Sequence, residues 1–476
     1  MIGWIIAACF AALLIICMIR AALAPIVRAA SLDVSAEDVS RSEAYAAELT
    51  QMLDIETVSS KQNADKAKFY ALHTQMAALF PNLHRICEKY DFDGSLLFVW
   101  RGTNPSAQPV LLMNHMDVVE ADANAWATPP FSGVIKDGRL YGRGVLDDKG
   151  PLYAMLRASE ELMAAGYTPP CDVYFASSCT EETGGAGAPD TAAFLAARGI
   201  QFRFILDEGS LIADTPIKGI KGAFAMVGVT EKAQGDVKFT AHSKGGHAST
   251  PGKNTPLVRL GRFMADVDKH CPFRKDYPPF LLQIIRVIGR SLPFPVRILT
   301  ENIWLFRPFL PLLTERIPAL AAMTRTTAAF TTAKGSNGFN VLPQEAYVTA
   351  NIRYAPHEPC EVANEQLRRR AARFDVEMTV INEGFPIPVT DYTQEAFCLV
   401  SKAIRESCGN IVTMPYLVTA ATDSRYYTAL SNQILRFVPL RVNASQLASV
   451  HGQNENLDVK ALAGAVDFYK KLIENL

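Results

Sequence analysis

Apolar runs alternate with polar segments along the chain, and their periods predict both helices and strands. From Ser35 to about Phe80, apolar positions recur at helical spacing in SAEDVSRSEAYAAELTQML and KAKFYALHTQMAALF, with a polar linker between them. The segment SLLFVWRG (95–102) and the run VLLMN (110–114) are short and apolar, which is typical of buried strands. Helices and apolar strands in succession indicate an α/β protein.

Acidic or histidyl clusters follow these apolar runs or open a helix at four places. The four stretches are VLLMNHMDVV (110–119), GRGVLDDKG (142–150), SSCTEETGG (177–185) and FILDEGS (204–210). Open α/β sheets bind ligands at the carboxyl ends of their strands, so we expect the polar side chains to meet there. They are His115, Asp117, Asp147, Glu181, Glu182 and Asp207. Histidine and carboxylate without cysteine suit a catalytic Zn²⁺ site, which indicates a metal-dependent hydrolase.

Composition and charge narrow the class of protein. A chain of 476 residues is long enough for two to four domains, and 49% apolar with 20% charged residues is typical of a globular protein. A formal net charge of −1 without a basic stripe argues against a nucleic-acid partner. Nine cysteines without CxxC spacing argue against both a disulfide framework and a thiolate zinc site.

The N-terminal segment, residues 1–30, is predicted to be a membrane anchor or a signal segment. The run from Ile2 to Ile19 is apolar and uncharged, which is near the lower length for a membrane span and long for a signal peptide. No basic residue precedes it, so an uncleaved single-pass anchor is favoured over a cleaved signal and secretion. Arg20 and Arg28 follow it and favour a cytoplasmic body by the positive-inside rule, but two charges leave the side of the membrane open.

The HxD pair is the first chemical element. Alternation along a strand turns residues i and i+2 to the same side, so Asp117 can meet His115. A carboxylate beside a metal-bound imidazole fixes the tautomer of the ring and raises its basicity. Taken alone, the pair is a weak signal.

Asp147 and the adjacent glutamates add two further elements. Asp147 lies in a glycine-bounded loop before a helical pattern and could bridge two cations; the alternative is an N-cap, a role that fits Asp148 better. Two neighbouring buried carboxylates repel each other unless one binds a cation and the other takes a proton. This indicates Glu181 as a general base and Glu182 as a metal ligand, with a solvated acidic turn as the alternative.

Four further motifs lie downstream: GGHAS (245–249), GFNVLP (338–343), TDSR (422–425) and HGQNE (451–455). With HxD, GRGxxDDKG, EE and DEG before them, this order resembles the co-catalytic di-zinc family that contains aminoacylase, glutamate carboxypeptidase, succinyl-diaminopimelate desuccinylase and the vacuolar Gly-X carboxypeptidase. The resemblance covers nearly all of the chain after about residue 40 and is strongest to the branch of carboxypeptidase S and the N-fatty-acyl-amino-acid synthase/hydrolases.

The resemblance implies two Zn²⁺ per subunit, bridged by Asp147 and a water or hydroxide. The implied metal ligands are His115, Asp147, Glu182, Asp207 and His451, with Asp117 orienting His115 and Glu181 acting as the base. In FILDEGS either Asp207 or Glu208 could be the terminal ligand, because alternation turns only one of them to the site; we choose Asp207.

The resemblance also implies an inserted lid that forms the dimer interface and reaches into the partner's active site. His247 would stabilise the tetrahedral oxyanion, while Asn340 and Arg353 would contact substrate; Arg353 could equally be a paired sheet arginine. Arg425 carries a planar fork that suits a substrate α-carboxylate, with pairing to Asp423 as the alternative.

Residues 276–313 form the most apolar stretch outside the N-terminus, and prolines and arginines divide it. No run in it is long enough to span a bilayer. It could be a helical subdomain with its own core, a wall for a long acyl chain, or a surface that takes lipid-like substrates from the membrane.

We therefore predict a two-domain α/β metallopeptidase fold, with an α/β catalytic domain and an inserted α+β lid. The boundaries are 31–230 for the first catalytic segment, 231–386 for the lid with an apolar insertion near 276–335, and 387–476 for the second catalytic segment. The predicted activity is zinc-dependent hydrolysis of an amide bond in a small substrate with a free α-carboxylate, either a Gly-X dipeptide or an N-acyl, including fatty-acyl, amino acid. The competing hypothesis is a non-catalytic, membrane-tethered binding protein that retains the fold.

Overall fold

A computed structural model describes residues 1–27, 35–60, 65–214, 222–409 and 411–476. Arg28, one of the two charges that follow the N-terminal apolar run, lies outside these residues. Among the described residues, one helix is long and apolar enough to cross a bilayer: α1 (Ile2–Leu23), of which only Cys17 and Ala21 are buried.

The first catalytic segment alternates helices and strands. Its helices are α2 (Ala36–Leu53), α3 (Ala67–Leu79), α4 (Pro81–Ile86), α5 (Lys149–Ala164) and α6 (Gly187–Ala197). Its strands are β1 (Glu88–Phe92), β2 (Ser95–Trp100), β3 (Val110–His115), β4 (Val134–Lys136), β5 (Arg139–Tyr141), β6 (Val173–Ser178), β7 (Phe204–Asp207), β8 (Ile212–Asp214) and β9 (Ala223–Glu231).

The lid follows, interrupted by a group of short helices. Its strands are β10 (Ala233–His242), β11 (Gly246–His247), β12 (Thr327–Lys334), β13 (Val341–Leu342), β14 (Glu345–Tyr354) and β15 (Glu377–Asn382), and its helices are α7 (Pro256–Lys269) and α13 (Cys360–Ala372). The insertion between α7 and β12 contains α8 (Pro279–Gly289), α9 (Phe294–Glu301), α10 (Ile303–Phe306), α11 (Leu310–Thr314) and α12 (Pro318–Thr324).

The second catalytic segment completes the main sheet. It contains α14 (Glu395–Ser407), β16 (Val412–Val418), β17 (Ile434–Arg436), β18 (Arg441–Asn443), α15 (Ala444–Leu447), β19 (Asn456–Asp458) and α16 (Leu462–Glu474).

The main sheet has ten strands in the order β1-β2-β6-β3-β7-β17-β9-β8-β18, with β16 paired to β9. The strands β6, β3, β7 and β17 run parallel to one another. Their carboxyl ends therefore lie at one edge, which we call the carboxyl edge of the sheet. β2, β3 and β6 are buried at every position because helices cover both faces, and this is why they read as continuous apolar runs.

The lid is a four-stranded antiparallel sheet, in the order β12-β14-β10-β15, packed on α7 and α13. It has its own apolar core, built around Val237, Phe239, Phe263, Ile352 and Leu367. The chain passes from the main sheet to the lid between Glu231 and Ala233.

The insertion packs its apolar side chains on the catalytic domain. The side chains of Phe280, Leu281 and Ile284 belong to the same apolar core as the catalytic helices, and α8 lies against β16. Lys232, at the junction between the two sheets, donates from Nζ to the carbonyl oxygens of Ala322 and Arg325 at 3.0 and 2.9 Å. The structure thus differs from the alternative of a subdomain with its own core, because each short helix is too small to bury its apolar face alone.

Because Ile284 is buried in the catalytic core, Ile284→Ala is expected to lower the free energy of unfolding of the catalytic domain by about 2–5 kcal/mol. Leu312→Ala removes an exposed side chain of the same insertion and should change the free energy of unfolding by less than about 0.5 kcal/mol. Urea denaturation of the detergent-solubilised chain measures both. An unchanged unfolding free energy for Ile284→Ala would show that the insertion folds independently.

Candidate active site

His115 ends β3 at the carboxyl edge of the sheet, and the backbone of the HxD turn fixes its ring. Its Nδ1 lies 2.9 Å from the carbonyl oxygen of Asp117, and its Nε2 lies 2.9 Å from Oδ1 of Asp147. A carbonyl oxygen can only accept, so Nδ1 carries a proton, and Nε2 is the ring atom that faces the carboxylate of Asp147 and is available to a metal ion. The ring is therefore held in the tautomer that a metal ligand needs at Nε2.

The carboxylate of Asp117 is fully buried and connects the HxD turn to the two glutamates. Its oxygens accept hydrogen bonds from the backbone amides of Glu181 and Glu182, both at 3.1 Å, and from Oγ of Ser59 at 2.6 Å. Asp117 lies 3.4 Å from Nδ1 of His115. It therefore positions the histidine and the glutamate pair together, a wider role than orienting His115 alone.

Asp147 lies between two histidines. Its Oδ1 is 2.9 Å from Nε2 of His115, and its Oδ2 is 3.0 Å from Nε2 of His451. His451 is also 3.1 Å from Oε1 of Glu182. Burial acts to raise the pKa of Asp147, but the hydrogen bonds from His115 and His451 outweigh it and lower that pKa. The same contacts with Asp147 and Glu182 raise the pKa of His451 to about 10.

Asp148 occupies the N-cap position of α5 but makes no side-chain cap there. Its Oδ2 instead accepts from Nδ2 of Asn114 at 2.8 Å and from the backbone amide of His115 at 3.0 Å. The interpretation of Asp148 as a helix cap is therefore wrong for its side chain, which holds the end of β3.

Asp207 and Glu208 have different environments. Both oxygens of Asp207 accept backbone hydrogen bonds, from Glu208 at 2.9 Å and from Ser424 at 2.7 Å. Burial raises the pKa of Glu208 well above its ordinary value, and the carboxylate of Asp147 adds to the shift. The charge of Asp147 thus acts on Glu208, whereas Asp207 anchors the loop that carries Ser424.

The carboxylates at this edge outnumber the cations around them. Burial, followed by the charge of Asp423, raises the pKa of Glu181, and burial raises that of Glu182. Ligand atoms of His115, Asp147 and Glu182 lie within 4.8 Å of one another, a grouping found among the described residues. Nitrogen and oxygen donors with uncompensated negative charge fit a divalent metal ion such as zinc.

Glu455 anchors the loop that carries Asp147, a role that the sequence analysis missed. One oxygen of Glu455 accepts from the backbone amides of Leu146 and Asp147 at 2.8 and 3.2 Å, and the other accepts from Nη1 of Arg143 at 2.7 Å. Both side chains are buried. Glu455 lies in the HGQNE motif quoted above, so the motif marked the residue, but its spacing could not identify a partner 312 positions away.

A cavity of about 870 Å³ opens beside these residues. Its lining includes Glu181, Glu182 and His451 together with Arg353 and Arg425. Burial and the neighbouring charge of Arg425 lower the pKa of Arg353, so the two guanidinium groups repel each other in this cavity. Arg425 also stacks over the ring of Tyr426, 4.8 Å from its centroid.

His247 and Asn340 are not among the residues that line this cavity. Both are exposed on the lid, where the amide of Ala248 donates to the carbonyl oxygen of Asn340 at 2.9 Å. The Nδ1 atom of His247 lies 2.7 Å from Oγ of Ser249. Of the residues predicted from the sequence, the structure therefore brings His115, Asp117, Asp147, Glu181, Glu182, His451, Arg353 and Arg425 together, but not His247 or Asn340.

Among solved structures, human carnosine dipeptidase 1 is similar with a TM-score of 0.67 at 16% identity, covering 92% of this chain and 98% of that one. The M20 family metallo-carboxypeptidase Sso-CP2 from Sulfolobus solfataricus gives a TM-score of 0.66 at 15% identity, covering 90% and 98%. These similarities confirm the predicted fold class.

Curated proteins are similar at higher identity. The human N-fatty-acyl-amino acid synthase/hydrolase PM20D1 is 34% identical over 396 residues, which cover 82% of this chain and 78% of that protein. The probable carboxypeptidase S-like 2 of Dictyostelium discoideum is 34% identical over 414 residues, covering 86% and 79%, and carboxypeptidase S of Saccharomyces cerevisiae is 27% identical over 490 residues, covering 90% and 83%.

The model of peptidase family M20/M25/M40 matches residues 111–475, which include every residue of the carboxyl-edge site. This match and the similarity to the human and Dictyostelium proteins confirm the resemblance seen in the motifs. The chain belongs to peptidase family M20/M25/M40, and it is a metal-dependent hydrolase of amide bonds.

Proposed function

We propose that this enzyme cleaves the amide bond of small substrates that end in a free α-carboxylate, and that N-acyl amino acids are its main substrates. The observation that carries the proposal is the pairing, in one cavity, of Arg353 and Arg425 with Glu181 and Glu182. A planar guanidinium group binds a carboxylate through two parallel hydrogen bonds. The anion of the substrate would also relieve the repulsion between the two arginines.

The apolar residues that line the cavity and the names of the relatives support a choice for the acyl side of the substrate. Phe385, Ile387 and Tyr426 line the cavity, and the rings of Phe385 and Tyr426 are 6.1 Å apart. Such a wall favours an apolar acyl group over the amino group of a Gly-X dipeptide. The name of the human relative states an N-fatty-acyl-amino acid, while the names of the other two state a carboxypeptidase, so Gly-X dipeptides remain the second candidate.

We propose that the site holds two zinc ions. His115, Asp147 and Glu208 would hold one, and Asp147, Glu182 and His451 would hold the other. The contacts of Asp147 with both histidines support its bridging role. Glu208 replaces Asp207 in this set because both oxygens of Asp207 already accept backbone amides. Bound zinc supplies Lewis-acid polarisation of the amide carbonyl and a lower pKa for water.

Proton transfer falls to Glu181 in this proposal. It would take a proton from the attacking water and deliver it to the leaving amine nitrogen. Its backbone amide is held by Asp117, so the base and the histidine of the HxD turn keep a fixed relation. Arg353 and Arg425 would hold the substrate carboxylate while the bond breaks.

We further propose a homodimer in which the lid of one subunit supplies His247 and Asn340 to the site of the other. Both residues are exposed and lie outside the cavity of their own chain, which supports this arrangement. In the partner's site His247 would donate to the developing oxyanion. We also propose that α1 is retained as a single-pass membrane anchor.

Glu181→Gln keeps the shape of the side chain but removes the base, so kcat for an N-oleoyl amino acid should fall by roughly 10²–10⁴-fold while bound zinc stays unchanged. Chelator should abolish hydrolysis by the unaltered enzyme, and an N-oleoyl amino-acid amide without the free carboxylate should be a poor substrate. Glu120→Gln, at an exposed glutamate, is the matched control. Normal turnover by Glu181→Gln would rule out the mechanism. Preferential cleavage of Gly-Leu by the unaltered enzyme would show that Gly-X dipeptides, the second candidate, are the main substrates.

Glu208→Ala should lower the bound zinc to about one ion per subunit, because one of the two proposed sites loses a ligand. Asp207→Asn replaces one of the two oxygens that accept backbone amides with an NH₂ group. It should therefore lower the unfolding temperature, while both zinc ions stay bound. Metal analysis after dialysis and thermal unfolding separate the two effects. Loss of zinc from Asp207→Asn alone would restore Asp207 as the ligand.

Glu181→Gln and His247→Ala should each be nearly inactive, but an unfolded-and-refolded equimolar mixture should recover activity. About half of randomly formed dimers contain one chain of each variant. In such a dimer one of the two sites has an intact Glu181 from its own chain and an intact His247 from the other chain. About a quarter of the original activity is therefore expected. Refolding each variant alone gives the baseline. Recovery no greater than the sum of the two baselines would show that His247 acts within its own chain or not at all.

A further inference from the structure

The insertion is joined to α1 by buried hydrogen bonds. Nδ2 of Asn302 donates to the carbonyl oxygen of Cys17 at 2.9 Å, and Nη2 of Arg297 donates to that of Ala21 at 2.5 Å. Asn302 and Arg297 are buried, as are Cys17 and Ala21. Arg297 satisfies a carbonyl in the last turn of α1, where a cation is also favoured by the helix dipole.

The position of these contacts along α1 determines where the insertion lies relative to a bilayer. A helix of 22 residues is about 33 Å long, close to the roughly 30 Å of a hydrocarbon core. Arg20 is the charged residue that ends the apolar run, and Cys17 precedes it by about 4.5 Å along the helix axis. If α1 spans a bilayer, the insertion meets it at the level of the headgroup boundary.

The surface of the insertion beside this contact is apolar and exposed. Trp304 is 51% exposed, Phe309 61% and Leu312 64%. A cavity of about 460 Å³ opens next to them, with walls made almost entirely of isoleucine, leucine and phenylalanine side chains from residues 285–310. Arg307 is exposed between the aromatic residues. Exposed tryptophan beside arginine is typical of the membrane–water boundary, and clustered apolar surface of this kind marks an interaction site.

We propose that the insertion surface formed by Trp304, Phe309 and Leu312 docks into the headgroup–acyl boundary of a lipid bilayer, as a second membrane contact beside α1. The occupant is the bilayer that α1 enters, since the hydrogen bonds from Asn302 and Arg297 keep the surface at the depth where the apolar run of α1 ends. The apolar cavity lies on the same surface and accommodates lipid chains. This inference rests on the proposal that α1 is retained in the membrane, and not on the substrate.

Fluorescence quenching by brominated lipids tests the docking in the full chain. The protein has four tryptophans; Trp100 and Trp126 are buried in the catalytic domain, whereas Trp4 lies on α1. In Trp4→Phe, reconstituted in phosphatidylcholine vesicles brominated in the upper acyl chain, the fluorescence of Trp304 should be quenched. Trp4→Phe/Trp304→Phe should lose this quenching.

The Trp304→Phe variant, which keeps Trp4, reports α1 separately. If Trp4 is quenched and Trp304 is not, the docking is overturned while the anchor stands. If neither is quenched, both membrane proposals are overturned. Hydrolysis of a soluble short-chain N-acyl amino acid in the same samples reports the proposed activity independently.

A charge substitution gives a second measurement that keeps Trp304 in place. Phe309→Asp/Leu312→Asp in the Trp4→Phe background should reduce quenching of Trp304 at least about two-fold, because carboxylates resist transfer into the boundary. Ile135→Asp, at a 49% exposed residue of the β4–β5 hairpin, is the matched control and should leave quenching unchanged. Equal quenching of Trp304 in the Trp4→Phe parent, in the Phe309→Asp/Leu312→Asp variant and in the Ile135→Asp control would overturn the proposal.

Discussion

Electrostatic repulsion among buried carboxylates is the constraint on which the site depends. Asp147, Glu181, Glu182 and Glu208 converge at the carboxyl edge of the main sheet, where low exposure strengthens every interaction between charges. His115 and His451 offset part of this charge, and Asp147 lies between them. Such a cluster must either take up protons or bind cations, and a bound divalent ion relieves the repulsion without protonating the ligands, which is the physical reason for a metal-dependent hydrolase at this position.

The carboxylates that do not face the centre of the site have structural partners. Asp117 accepts two backbone amides from the glutamate turn, Asp148 accepts from Asn114 and His115, and Glu455 accepts from Arg143 and the Asp147 loop. Each of them immobilises a backbone segment that carries a proposed ligand or base. Buried acidic residues therefore divide into those with satisfied oxygens, which position loops, and those with excess charge, which suit metal binding.

The sequence could predict the fold class, the family and most residues of the site, because strand ends and glycine turns restrict where their side chains can lie. His115, Asp147 and Glu182 follow strands or loops whose direction is set by the parallel sheet. The sequence favoured Asp207 over Glu208 as the terminal ligand, but it could not show that Asp207 accepts from the amide of Ser424, a contact made across 217 positions. The packing of the insertion on the catalytic domain could not be predicted either. Periodicity shows that a helix has an apolar face, but not against which core that face packs.

The ion pair between Arg143 and Glu455 has a consequence for the order of folding. Its partners are 312 positions apart, and His451, which contacts Asp147, comes from the same late segment. Strands β2, β3, β6 and β7 precede this segment in the chain, so the acidic edge that they create has no contact with His451 until residues 451–455 have been added. Contacts of such high sequence separation slow folding, and they make the early chain dependent on its own C-terminus. A nascent chain that has not yet reached residue 451 lacks His451, Glu455 and their contacts with the Asp147 loop, so the acidic cluster is assembled only after most of the sheet has been made.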